Sequence, residues 1–181
     1  MKKAKRRRPA ASKRHRALRA KPAARASQTA GPGGSRATPY LIIKHAARAV
    51  DFYRNAFDAI EVVRLEGADG RIAHCEIKIG DASILLADEW EGIGATSPSA
   101  LGGSPVVIHL EVDDVDTVAK RAIEAGAKVI FPVEDQFYGE RAGRLQDPFG
   151  HLWLLSTKIE SVPAGETRKR GRSWFRDSSD N

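Results

Sequence analysis

One cysteine stands in 181 residues, so no disulfide can form within the chain and no C-x-x-C pair offers a zinc knuckle. Cys75 alone makes a reducing cytoplasm the expected compartment and leaves stability to an apolar core. No apolar run is long enough for a membrane span, and no apolar core of a secretory signal is seen, so contact with a membrane is not expected. Acidic residues are missing from the first 37 positions, which hold thirteen of the thirty Lys and Arg. The apolar content of that stretch is nearly all alanine, too little to offset the entropy of ordering it, so residues 1–37 are expected as a disordered basic tail. Such an arm attracts nucleic acid or another polyanion weakly and in a salt-sensitive way. A second basic stretch, 164–181, carries five bases against three acids, with Trp174 and Phe175 its only large aromatics. Removing both leaves twelve bases and twenty acids in residues 38–163, so the part expected to fold is acidic although the whole chain carries +7.

Within 38–163 the hydrophobic spacing alternates between two periods. Pro39 to Lys44 reads as a strand. Ala46, Ala49, Val50, Tyr53, Ala56 and Phe57 then recur at three- and four-residue spacing, one face of a helix ending near Asp58. Strands follow at Ile60 to Leu65, Arg71 to Ile79 and Ser83 to Ala87, separated by turns at 68–70 and 80–81. Residues 88–104, rich in Gly, Ser, Ala and acids, have no period and read as a linker or lid. The order then repeats: a strand over 106–112, a helix opened by Asp114 and closed at Gly126, and strands at Lys128 to Pro132, Gly143 to Gln146 and Leu152 to Thr157. The fold class is α+β, two βαβββ repeats of about 38–90 and 104–160 whose curved mixed sheets enclose a cavity.

Together with this repeat, P-Y-L-I-I-K at 39–44, A-V-D-F-Y at 49–53, R-I-A-H-C-E-I-K-I-G-D at 71–81, Y-G-E-R at 138–141 and D-P-F-G-H-L-W at 147–153 carry a resemblance. The chain resembles the vicinal oxygen chelate superfamily of glyoxalases, extradiol dioxygenases and bleomycin or fosfomycin resistance proteins, and within it the PhnB-like branch. The resemblance implies a homodimer and, in most members, a divalent metal held by His and Glu on the first and last strand of each module, acting as a Lewis acid. Those positions fall near Thr38, Ile84, Val107 and Leu154, none of them a good ligand. The usual metal site is therefore expected to be missing.

Other polar residues offer a different set. His74 and Glu76 are two apart on one strand, His109 and Glu111 two apart on another, so each pair shares a face opposite the apolar one. Two imidazoles and two carboxylates could ligate a divalent ion, share acid and base roles, or simply hydrogen-bond on a half-exposed sheet. Tyr138 and Arg141, on a glycine-bounded loop, suit the capture of an anion, the alternative for Arg141 being an ion pair with Asp147 that fixes the turn. His151 and Trp153 are candidates for the wall of the ligand cavity. Asp147-Pro148 and Gly150 are read as turn chemistry, and Cys75 as an inert buried thiol. Two functions follow. One is a protein that binds a small anionic or aromatic molecule without a metal, using Tyr138, Arg141, His151 and Trp153. The other is a metal-dependent lyase, isomerase or dioxygenase with His74, Glu76, His109 and Glu111 as an altered ligand set.

Overall fold

In a computed structural model, residues 36–177 are described. The expected disorder of the N-terminal tail lies outside these residues up to position 35. Four strands and a helix come first: β1 (Tyr40–Ile43), α1 (Ala46–Phe57), β2 (Ile60–Glu66), β3 (Ile72–Ile79) and β4 (Ala82–Asp88). A short helix α2 (Pro98–Leu101) interrupts the linker. The second module repeats the order with β5 (Val107–Glu111), α3 (Val115–Glu124), β6 (Lys128–Asp135), β7 (Glu140–Gln146) and β8 (Leu152–Lys158). A further helix, α4 (Ala164–Asp177), follows.

The sheets run β1-β4-β3-β2 and β5-β8-β7-β6, with β1–β4 and β5–β8 parallel and the other pairs antiparallel. The expected α+β class and two βαβββ modules are thus observed, as two four-stranded mixed sheets that do not close into a barrel. Alternation along the strands sends one side of each sheet to the helices: Leu41, Ile43, Cys75, Ile77, Ile84 and Leu86 in the first, Leu110, Leu145, Trp153 and Leu155 in the second, all buried. The other side of each sheet is free for a site.

The repeat extends to the way each helix is started. The N–H of Ala46, the first residue of α1, donates to Asp88 Oδ1 at 2.9 Å, and Asp88 Oδ2 also accepts from Ile72 N. In the second module the N–H of Val115 donates to Thr157 Oγ1 at 2.8 Å, and that hydroxyl donates to the Val112 carbonyl. In each case the last strand of a module supplies a side chain for an otherwise orphaned amide at the start of its helix. Asp114 adds a local cap on α3, accepting from Thr117 N.

Three sequence expectations change. The segment 164–177 is not a disordered tail but helix α4, in which Arg170 pairs with Glu160 and Glu166. There the absence of a Cβ at Gly171 lets the Phe137 ring approach, since an added Cβ would meet it at 3.1 Å, and Trp174 lies 5.8 Å from the same ring. The strand β7 begins at Glu140, three residues before the apolar signal, so Arg141 sits on a strand and not on a loop. Finally β6 continues to Asp135, past Pro132.

Candidate functional site

Asp147 is the polar centre of the inter-module core. Its Oδ1 accepts from the backbone amides of Phe149 and His151 at 3.0 and 2.9 Å. Its Oδ2 accepts from the Tyr53 hydroxyl at 2.7 Å and Trp153 Nε1 at 3.0 Å. The D-P-F-G-H turn is thereby tied to α1 of the first module. Trp153 belongs to this core and not to a cavity, which corrects its assignment as a ligand contact: it is 1 % exposed and packs 4.8 Å from Phe57 and 5.4 Å from Tyr53, ring centre to ring centre. Burial first, and then the Asp147 charge, push the Tyr53 phenol well above its ordinary range, so it remains a donor.

Arg141 is corrected as well. Its Nε and Nη2 donate to the two carboxylate oxygens of Asp116 on α3, at 2.7 and 2.8 Å, and Nη1 donates to Asp135 at 2.9 Å. The fork is spent on two carboxylates, neither of them Asp147, and points to the helix side of the sheet, where it cannot take an anion from the free face.

The two His/Glu pairs do lie on free faces, but on different sheets. His74 Nδ1 is 3.1 Å from the Tyr40 hydroxyl. His109 Nε2 is 2.8 Å from Ser156 Oγ and 3.9 Å from a Glu140 carboxylate oxygen. A serine, histidine and acid so close invite comparison with a hydrolytic triad, yet Ser156 and Glu140 approach the same ring nitrogen and Ser156 is fully buried. A relay needs the acid on the other nitrogen. Among the described residues no three His, Cys, Asp or Glu side chains stand close enough together to hold a metal ion, so His74, Glu76, His109 and Glu111 do not assemble as a ligand set within the chain.

What the free face of the second sheet does present is a cavity of about 690 Å³, walled by Phe131, Phe137, Tyr138, Arg144, Leu154 and Trp174. Arg144 faces Leu154 on β8 and Phe131 on β6 in register, and its guanidinium carbon sits 5.3 Å from the centre of the Phe131 ring. Unlike Arg141 it has no carboxylate: its Nε is buried and makes no hydrogen bond among the described residues. Exposed Glu134 and Asp135 also border this space, but Asp135 is neutralised by Arg141. Phe131 and Trp174 are 57 % and 47 % exposed, much apolar surface left to water beside an unpaired cation. Burial, with a smaller push from Glu140, raises the Tyr138 phenol, which stays protonated as a donor. Tyr138 was legible from the sequence; Arg144 and Phe131 were not, since nothing in the local sequence separates Arg144 from Arg141 except which face of β7 each takes. Helix α4, which supplies Trp174, was read as a tail.

Two βαβββ modules with paired helices and a cavity on the free face of a sheet define the class of glyoxalase-like, two-module proteins. The chain belongs to the Glyoxalase/Bleomycin resistance protein/Dioxygenase superfamily, whose family model matches residues 36–155. It is 42 % identical over 132 residues to the uncharacterized protein Mb0911c of Mycobacterium bovis, covering 71 % of this chain and 87 % of that one. Among solved structures it resembles TioX from Micromonospora sp. ML1 at 26 % identity, with a TM-score of 0.55 over 71 % of this chain and 100 % of that one. The PhnB protein from Bacillus cereus shares the fold at 17 % identity, with a TM-score of 0.54 over 68 % of this chain and 99 % of that one.

Proposed function

We propose that the chain binds a planar aromatic molecule bearing a carboxylate or similar anionic group in the cavity of the second module, without transforming it. The observation that carries this reading is Arg144, a half-buried guanidinium with no carboxylate partner among the described residues, stacked on one aromatic ring and surrounded by others. A partly desolvated, unpaired cation is costly, and an anionic ligand removes that cost while its ring covers Phe131 and Trp174. A guanidinium fork also matches a carboxylate in plane, which a lysine would not. Exposed Glu134 repels an anion only through solvent, where its effect is screened. The metal-dependent reading would need a ligand set that the chain does not bring together, and no observation favours it.

The test is calorimetric titration with 2-naphthoate and its neutral counterpart 2-naphthalenemethanol. A charge-assisted pair contributes about 1.5–3 kcal/mol, so Arg144→Gln should weaken naphthoate roughly 10- to 100-fold. The neutral alcohol should bind the wild type and the variant alike, and Arg144→Lys should fall between them for naphthoate. Equal naphthoate affinity for the wild type and Arg144→Gln would remove the anion-binding role.

A further inference from the structure

A second cavity, of about 610 Å³, lies at the seam of the modules and is separate from the Arg144 site in every lining residue. Its walls are the edges of both sheets. Strand β1 pairs only with β4 and β5 only with β8, so each has one unpaired side, and residues of both line the space. The linker closes it through Pro98 and Leu101 of α2 and Pro105. Apolar side chains dominate, among them Ile42, Val107 and Ile108.

The wall contains one buried polar group with nothing to bind. His151 is 8 % exposed, and its Nε2 has no hydrogen-bond partner among the described residues. The ring makes a hydrogen bond to the backbone of Ile42, the middle of β1, which can only involve the other nitrogen. A carbonyl acceptor there fixes the proton on Nδ1 and leaves Nε2 as a lone pair. Burial pulls the imidazole below its ordinary 6.5, against smaller opposing pulls from Asp147 and the Ile42 bond, so the ring is neutral at pH 7. An orphaned buried acceptor in an apolar wall is unfavourable by itself and is satisfied by a donor brought from outside.

We infer that the seam cavity is a binding site for a neutral, largely apolar molecule bearing a hydroxyl group, which donates its hydrogen bond to His151 Nε2. A carboxylate is excluded here by the same chemistry that admits it at Arg144, because an anion offers no donor to a neutral imidazole lone pair. The space falls within the range of small-molecule pockets and holds a substituted phenol or a short branched alcohol. The two cavities thus select opposite ligand types on one chain.

The experiment uses the full chain and a matched pair of probes, 4-ethylphenol and ethylbenzene, in NMR titrations with observation of the histidine ring nitrogens. One hydrogen bond to a buried acceptor makes the phenol bind about 3- to 10-fold tighter than the hydrocarbon. The phenol, and not ethylbenzene, should shift the His151 Nε2 resonance. In His151→Phe the preference should vanish while ethylbenzene still binds. Val107→Trp, which fills the space without touching His151, should abolish binding of both probes, and Arg144→Gln should change neither. Equal affinity of the two probes for the wild type, or a phenol titration that leaves the His151 ring nitrogen unmoved, would overturn the assignment. So would phenol binding that survives Val107→Trp.

Discussion

Replacing Asp147 with Asn should be among the most damaging single-atom changes in this protein, and the loss can be worked out from its four bonds. The aspartate oxygens accept from two backbone amides on one side and from Tyr53 and Trp153 on the other. An asparagine that keeps its oxygen on the amides turns its NH2 toward the Trp153 Nε1–H, donor against donor. The Tyr53 hydroxyl can rotate to accept, but the indole N–H is stranded in a site that is 1 % exposed. Charge-assisted bonds contribute about 1.5–3 kcal/mol against about 1 for neutral ones, and a stranded buried donor costs about 1–3, giving a destabilisation of about 3–5 kcal/mol. That is a large share of a typical 5–15 kcal/mol total, and lowers Tm by roughly 10 °C. Urea denaturation followed by tryptophan emission and circular dichroism measures it. Tyr53→Phe should cost only about 1 kcal/mol, since the carboxylate keeps three donors, and the two changes together should be less than additive because they share a bond. Asp147→Asn within 1 kcal/mol of the wild type, or strict additivity with Tyr53→Phe, would refute the reasoning.

Three further outcomes follow from other parts of the structure. At Gly139, φ is +92° and an added Cβ would lie 2.6 Å from the Glu160 carbonyl oxygen, so Gly139→Ala should destabilise by about 2–4 kcal/mol in the same urea assay. Burial pushes the Cys75 thiol from 9.0 to about 11, so native protein at pH 8 should not react with a thiol-specific disulfide reagent, while urea-unfolded protein should react fully. The same shift favours the neutral thiol in the folded state. Its contribution to stability is complete below pH 9 and is lost as pH rises toward 11, a slope that Cys75→Ala should flatten. Trp174→Ala should weaken 2-naphthoate by about 2- to 10-fold, the worth of one ring contact, and leave Tm nearly unchanged.

The two-module fold was legible because its signals are local: Ala46 to Phe57 and Val115 to Ala122 keep a helical period, and the strands between them keep a period of two. Even so, Ile123 continues the apolar spacing of α3 yet is 44 % exposed, since the stripe marks a face but not where the packing ends. The strand β7 was expected too short, because Glu140 and Arg141 are polar on both faces and gave no alternation. The candidate site was legible only in part. Tyr138 and His151 do line cavities, though two different ones. Arg141 and Arg144 are three apart on one strand and opposite in role, a difference set by the carboxylates of α3 and β6 that meet only one of them. No spacing rule reports such partners across the chain, and equally none showed that the two His/Glu pairs lie on separate sheets.

The location of an aromatic anion tests the central claim most directly. Crystals of the full chain grown with 6-bromo-2-naphthoate would show the bromine by its anomalous scattering. The account places that peak in the cavity between Phe131, Tyr138 and Trp174, with the carboxylate on Arg144 and the seam cavity free of bromine. A bromine peak at the seam beside His151, or a carboxylate held by any group other than Arg144, would contradict it.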